Sequence, residues 1–305
     1  MFFFSGRGIR QIALVFGVVL ALALGGYGFF TFRQPVVLVS DLSFSGLYGS
    51  FRGIRAQVEL SLRFLRLFKV VNIAEDAGPD MVAFVLEESE KSPYAVLFPY
   101  RYYEGARRYA DKFPQLPVLV MGGPGGAGGG TEGDSGGLEL IGADTETDCY
   151  RAGLAAALLN RGKGGKVGFF HGGALDSADR DAFLAGLREG GAEDPPLYIE
   201  GNGGNAPWQE LSSAVVRGTG GAQMLLERNL DIPVVLFSWV DPELTPRTVK
   251  VVFDDSPWAL AVRVLENKGR KGEARKESSG VIVLSGRIGD PGLARALKKA
   301  VKIVL

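Results

Sequence analysis

Cysteine and histidine are nearly absent from this chain of 305 residues, which has one of each, Cys149 and His171. A single cysteine excludes a disulfide framework within the chain. A lone histidine without neighbouring cysteine or histidine ligands does not make a metal site, and we expect no metal and no cofactor. An excess of one charge is also missing, because 34 basic residues balance 34 acidic ones. This balance disfavours a nucleic-acid partner, which usually requires a basic face.

Charge is also missing from one long segment near the start of the chain. Arg7 and Arg10 precede an uncharged run from Gln11 to Phe32, and roughly 20 apolar residues suffice for a helix to cross a bilayer. Basic residues before the run predict that the amino terminus is cytoplasmic and that the rest is outside. We expect residues 1–34 to be a signal anchor, and a cleaved signal peptide is the alternative. Both interpretations predict a location in the periplasm or on the outer face of the cytoplasmic membrane.

Short apolar runs alternate with helical patterns from residue 35 onward. Val36 to Ser40 is a continuous apolar run, and apolar residues between Phe51 and Leu65 then recur at helical spacing. The alternation continues to a last helix, which begins after the cap and first-turn proline of Asp290-Pro291. Strands that alternate with helices indicate parallel βαβ units. The sequence therefore predicts an α/β fold with two open parallel sheets.

The stretch MGGPGGAGGGTEGDSGG, Met121 to Gly137, contains patterns that are typical of functional sites. Gly123 to Gly128 fits the dinucleotide pattern G-x-G-x-x-G, but no helical pattern follows to hold a pyrophosphate. Gly133 to Gly137 fits two hydrolase patterns, which makes Ser135 a candidate nucleophile. The only histidine follows this serine, and a strand pattern rather than a helix comes next. We therefore interpret the stretch as a surface loop between two lobes.

Four other stretches resemble the type I periplasmic binding protein superfamily, in particular its ribose- and nucleoside-binding members. They are SDLSFSGLYGSFRGI from Ser40, IGADTETDCYRAGLAAALLNRGKGGKVGFFHGG from Ile141, RDAFLAGLREGG from Arg180 and PVVLFSWVDPELTPRTVKVVFDDSPWALAVRVLENKG from Pro233. The resemblance implies two Rossmann-like lobes with parallel sheets, joined by a three-strand hinge around a ligand cleft. It implies that lobe 1 comprises residues 35–141 and 249–282, and that lobe 2 comprises residues 142–248 and 283–305.

The resemblance also implies which residues line the ligand cleft. They are Phe44, Tyr48, Tyr100, Arg101, Tyr102, Asp144, His171 and Trp239. Two polar positions of the sugar-binding members differ here, because Gly122-Gly123 stands in place of an Asp-Arg pair and Ser238-Trp239 in place of an aspartate. An aromatic lining with few charges favours a planar, nucleoside-like or apolar ligand over a sugar, although each aromatic residue could equally belong to the core.

The function implied by the resemblance is that of an extracytoplasmic solute-binding protein. It would be membrane-tethered, capture a small molecule and deliver it to an ABC-type importer or a membrane sensor, without acting as an enzyme. The alternative is a protein of the same fold that has lost ligand binding and serves as an interaction or structural component. A serine hydrolase built on Ser135 is a third hypothesis.

Overall fold

The structure is a computed structural model. It describes residues 25, 28–30, 32–41, 53–90, 92–121, 138–172, 175–201, 207–217, 231–237, 245–254, 257–266 and 275–302. These residues divide into two compact units. Unit 1 contains the described residues up to Leu119 together with Leu138, and unit 2 contains Val120, Met121 and the described residues from Glu139 onward.

No helix within these ranges is both long enough and apolar enough to span a bilayer. Most of the predicted anchor, residues 1–34, lies outside the described residues. The anchor therefore stays a prediction.

The first sheet has the strand order β11-β5-β4-β3-β1-β2. Its strands are β1 (Val36–Ser40), β2 (Phe68–Asn72), β3 (Ala95–Pro99), β4 (Val118–Met121), β5 (Leu138–Ala143) and β11 (Arg275–Glu277). In unit 1, helices α1 (Gly53–Phe64), α2 (Pro79–Ser89) and α3 (Tyr103–Lys112) follow β1, β2 and β3. Strand β1 pairs in parallel with both β2 and β3. Every residue of β1 and β3 is buried, as continuous apolar strands are when both sheet faces are covered.

The second sheet has the strand order β12-β10-β9-β8-β6-β7. Its strands are β6 (Lys166–His171), β7 (Leu197–Glu200), β8 (Leu211–Arg217), β9 (Val234–Phe237), β10 (Val249–Asp254) and β12 (Gly280–Val283). Among the described residues of unit 2, the α-helices are α4 (Thr145–Asn160), α5 (Ser177–Glu189), α6 (Pro257–Glu266) and α7 (Pro291–Ala300). One core cluster joins Phe169 of β6, Phe183 of α5 and Leu297 of α7, so both helices pack on this sheet.

Helices α4 and α5 approach each other closely because two glycines remove side chains from their contact. A Cβ atom built on Gly153 would lie 2.4 Å from the carbonyl oxygen of Phe183. A Cβ atom on Gly186 would lie 2.0 Å from the carbonyl oxygen of Tyr150. Gly153 and Gly186 therefore allow the backbones of the two helices to pack directly against each other.

The structure confirms an α/β fold with parallel sheets, and it adds three features. Strand β12 is antiparallel to β10, so the second sheet is not parallel throughout. Strand β11 was not expected, and it pairs in parallel with β5. Strand β10 pairs with β9 of the second sheet, so the lobe boundary expected at residue 249 cuts across that sheet. The remaining lobe boundaries stay predictions.

Candidate ligand-binding site

A buried carboxylate stands at the end of the first strand of unit 1. Asp41 directly follows β1, and its side chain is fully buried. The hydroxyl of Tyr102 donates a hydrogen bond to Oδ2 of Asp41 at 2.7 Å. Nη1 of Arg101 lies 3.1 Å from the same oxygen and forms an ion pair with it. One aspartate therefore holds two of the residues that the sequence predicted for the ligand cleft.

Three neighbouring strands bring these groups together. Asp41 follows β1, Ala74 and Glu75 follow β2, and the 3₁₀ turn of Tyr100–Tyr102 follows β3. Because β1 lies between β2 and β3 in a parallel arrangement, the carboxyl ends of all three strands meet at one edge of the sheet. Ligand sites of open α/β sheets lie at this edge.

The guanidinium of Arg101 connects two of these strand ends. Besides its ion pair with Asp41, Nη2 donates to the carbonyl oxygen of Glu75 at 3.0 Å. The side chain is 41% exposed, so it still reaches solvent. Arg101 therefore neutralises a buried charge and also presents hydrogen-bond donors at the strand ends.

Burial and a hydrogen bond keep the Tyr102 hydroxyl protonated. Burial raises the pKa of Tyr102 well above its ordinary value, and the hydrogen bond to Asp41 raises it further. Tyr102 therefore acts as a hydrogen-bond donor near neutral pH. The adjacent Tyr100 is 41% exposed, and its ring centroid lies 5.9 Å from that of Tyr103. The Tyr100 ring offers an aromatic surface at the same edge.

Unit 2 has its own set of polar strand ends. His171 ends β6 and is in register with Glu200 at the end of β7 and with Arg217 at the end of β8. Nη1 of Arg217 forms an ion pair with Oδ2 of Asp179 at 2.7 Å. The same nitrogen donates to Sγ of Cys149 at 3.3 Å. The strand-end cation of unit 2 is therefore held in place by α4 and α5.

The chain's only thiol is buried in unit 2. Cys149 has no exposed surface, and burial raises its pKa to about 12 despite the nearby Arg217. A thiolate is the reactive form of cysteine, so this group is inert near neutral pH. Cys149 therefore behaves as a small apolar residue of the core.

Asp144 is the N-cap of helix α4. Its carboxylate accepts a hydrogen bond from the backbone N–H of Thr147 at 3.2 Å, which satisfies a donor of the first helical turn. Its own backbone N–H donates to the carbonyl oxygen of Glu277 at 2.9 Å. Helix capping alone is a sufficient reason for an aspartate at this position. The role of Asp144 in ligand binding stays a prediction.

A second pair of buried charges lies on helix α4. The carboxylate of Asp148 accepts from the backbone N–H of Ser279 at 2.8 and 2.9 Å. Arg151 lies 3.3 Å from Asp148, and its Nε donates to the carbonyl oxygen of Val301 at 2.6 Å. The pair therefore connects α4 to the segment between β11 and β12 and to the end of α7.

Several predicted site residues fall outside the described ranges. They are Phe44, Tyr48 and Trp239, together with residues 122–137, which include Ser135.

Three charged residues that form ion pairs at the strand ends were not predicted from the sequence, namely Asp41, Asp179 and Arg217. Asp41 and Arg217 each carried a usable signal, because a charged residue there ends an apolar strand run. Within the described ranges, no group of three His, Cys, Asp or Glu side chains could hold a metal ion.

No protein-family model and no curated protein sequence matches this chain. Solved structures are similar to it. A transcriptional activator of the comK gene from Bacillus halodurans has a TM-score of 0.63 at 10% identity, over 88% of this chain and 96% of that one. A solute-binding protein of an ABC transporter system from Conexibacter woesei has a TM-score of 0.56 at 15% identity, over 88% and 95%. At these identities the likeness shows the fold alone, which is the type I periplasmic binding protein fold.

Proposed function

We propose that this chain is an extracytoplasmic solute-binding protein that captures a small molecule for an ABC-type importer or a membrane sensor. The observation that carries the proposal is the arrangement of Asp41, Arg101 and Tyr102 at the carboxyl ends of β1 and β3. This edge is where open α/β sheets bind ligands. Binding involves no covalent change to the molecule.

The proposed ligand is planar and nucleoside-like, or apolar, rather than a sugar. The exposed ring of Tyr100 can stack on a planar molecule, and the solvent-reaching guanidinium of Arg101 can donate hydrogen bonds to its edge. The Asp41 carboxylate is already engaged by Arg101 and Tyr102. The role of this carboxylate is therefore to orient the guanidinium of Arg101, and it is less suited to accept hydrogen bonds from sugar hydroxyls.

Calorimetric titration of the full chain with adenosine, ribose, glucose and leucine tests this proposal. We expect heat of binding with adenosine and none with ribose or glucose. Tyr100→Ala removes an exposed ring and is expected to weaken adenosine binding without lowering stability. Phe84→Ala, which removes a 58% exposed ring from helix α2, is the matched control. Equal binding by wild type and Tyr100→Ala would remove Tyr100 from the site, and absence of binding to all four compounds would count against the ligand classes that they represent.

A second candidate is a protein of the same fold that no longer binds a ligand and serves as an interaction component. It is favoured by the internal pairing of the strand-end charges, since Asp41 pairs with Arg101 and Asp179 with Arg217. Paired charges have less capacity for a ligand than unpaired ones. The serine-hydrolase hypothesis is tested separately by Ser135→Ala: a hydrolytic activity that this variant loses would support it.

A further inference from the structure

Helix α1 carries apolar side chains on a face that the rest of unit 1 leaves exposed. Val58, Leu62 and Leu65 follow one another at intervals of one helical turn, and they are 50%, 57% and 46% exposed. Leu65 lies just after the helix with a φ of 52°, in a region where glycine or asparagine is usual. Leu65 is therefore an exposed leucine at the end of α1 that the core of unit 1 does not bury.

The chain segment before β1 reaches the same end of α1. Nη1 of Arg33 donates to the carbonyl oxygen of Leu65 at 3.4 Å, and Nη1 of Arg66 donates to the carbonyl oxygen of Gln34 at 3.0 Å. Phe32, the last residue of the uncharged run, is 93% exposed and directly precedes Arg33. These bonds hold the end of the uncharged run at the carboxyl end of α1, next to Leu65. We call Phe29, Phe32, Val58, Leu62 and Leu65 together the apolar patch.

Cationic side chains accompany the apolar patch. Arg33 packs over the Phe29 ring at 4.1 Å from its centroid, and Arg63 is exposed on α1 between Leu62 and Leu65. Arg66 follows Leu65. Apolar side chains next to arginines are the composition of surfaces that lie at the boundary between lipid headgroups and acyl chains. Each arginine near an anionic bilayer surface adds to the attraction.

We propose that the apolar patch rests on the surface of a lipid bilayer, with Arg33, Arg63 and Arg66 at the level of anionic phospholipid headgroups. The position of the uncharged run favours lipid over a protein partner. A run of 22 residues from Gln11 to Phe32 is long enough to cross a membrane, and it ends at the patch. A chain anchored by this run holds the bilayer next to Phe32, so the patch meets lipid before it meets any other surface.

Site-specific labelling of the full chain tests this proposal. Leu62→Cys places a thiol in the patch, and Met81→Cys places one on α2, where Met81 is 55% exposed. Cys149 is buried and remains unlabelled in the folded chain. Each variant is labelled with an environment-sensitive fluorophore and reconstituted in vesicles of phosphatidylcholine and phosphatidylglycerol that contain brominated lipid. Val58→Cys is a second patch variant in case the label at position 62 disturbs the fold.

We expect a blue shift and quenching by brominated lipid at position 62 and at position 58, and neither effect at position 81. Replacing both Arg33 and Arg66 by glutamine is expected to reduce the quenching at position 62. Equal quenching at positions 62 and 81 would overturn the proposal, and so would failure of the full chain to float with vesicles. A blue shift at position 62 that depends on protein concentration and occurs without lipid would assign the patch to a second copy of the chain. The fluorescence measurement does not depend on solute binding. It therefore tests the membrane contact even if the chain binds no solute.

Discussion

The phenolic oxygen of Tyr102 lies 2.7 Å from Oδ2 of Asp41, a residue 61 positions earlier in the chain. This contact joins the ends of β1 and β3 and is shared with Arg101. The buried carboxylate of Asp41 requires both donors. Asp41, Arg101 and Tyr102 therefore form one fixed group. A ligand at this edge therefore meets a preorganised surface and does not have to order flexible side chains.

Removing the hydroxyl of Tyr102 should destabilise unit 1. Tyr102→Phe takes one donor from a buried carboxylate, and we expect the free energy of unfolding to fall by about 1–3 kcal/mol. Urea unfolding measures the change. Tyr100→Phe removes a hydroxyl from an exposed side chain and is expected to change stability by less than about 0.5 kcal/mol. Equal effects of the two variants would show that the Asp41 contact does not contribute.

The buried pair on α4 predicts a coupling between two substitutions. Asp148→Asn leaves the Arg151 guanidinium buried without its counter-ion, and Arg151→Met leaves the carboxylate without its cation. Breaking such a pair from one side costs about 3–5 kcal/mol. The double variant should cost less than the sum of the single variants in urea unfolding, because no unpaired charge remains. Additive effects would contradict the ion pair.

The contact between α4 and α5 predicts a destabilising glycine replacement. Gly186→Ala improves helix propensity, but its Cβ would collide with the backbone of Tyr150. Overpacking of this kind costs about 1–3 kcal/mol, which exceeds the gain of roughly 0.5–1 kcal/mol in propensity. Thermal unfolding of Gly186→Ala should therefore occur at a lower temperature than that of the wild type. Gly289→Ala, at a position with open space, is the control and should leave the midpoint unchanged.

The thiol of Cys149 should be unreactive in the folded chain. Burial raises its pKa to about 12, so at pH 8 the group is the neutral thiol, which is not nucleophilic. We expect no reaction with a chromogenic disulfide reagent at pH 8 in buffer and one equivalent of reaction after denaturation in guanidinium. A fast reaction of the folded chain would show that helix α4 opens.

Much of this fold could be predicted from the sequence, because its signals are local. Continuous apolar runs such as those of β1 and β3 indicate buried parallel strands at any point in a chain. The cap and proline of Asp290-Pro291 mark the start of α7, and Asp290 does accept from the backbone N–H of Gly292. Strand β11 carries no such signal, since Arg-Lys-Glu is charged and its strand character depends on pairing with β5.

The candidate site was less predictable, because its contacts join distant parts of the chain. Arg101 and Tyr102 could be identified as strand-end residues, but nothing in the sequence names Asp41 as their shared partner. The pairing of Arg217 with Asp179 likewise crosses from β8 to α5. Asp144 is ambiguous for another reason. The resemblance implies that it binds the ligand, whereas its observed hydrogen bond caps helix α4, and an aspartate suits both roles.

Native mass spectrometry of the full chain, purified in detergent without added ligand, tests the central claim most directly. A solute-binding protein with a preorganised site is expected to retain a small molecule at one equivalent, and the molecule should be released under denaturing conditions. Its mass would then identify the class of ligand. A bare chain mass that stays unchanged after incubation with nucleosides, sugars and amino acids would contradict solute binding and favour the interaction component of the same fold.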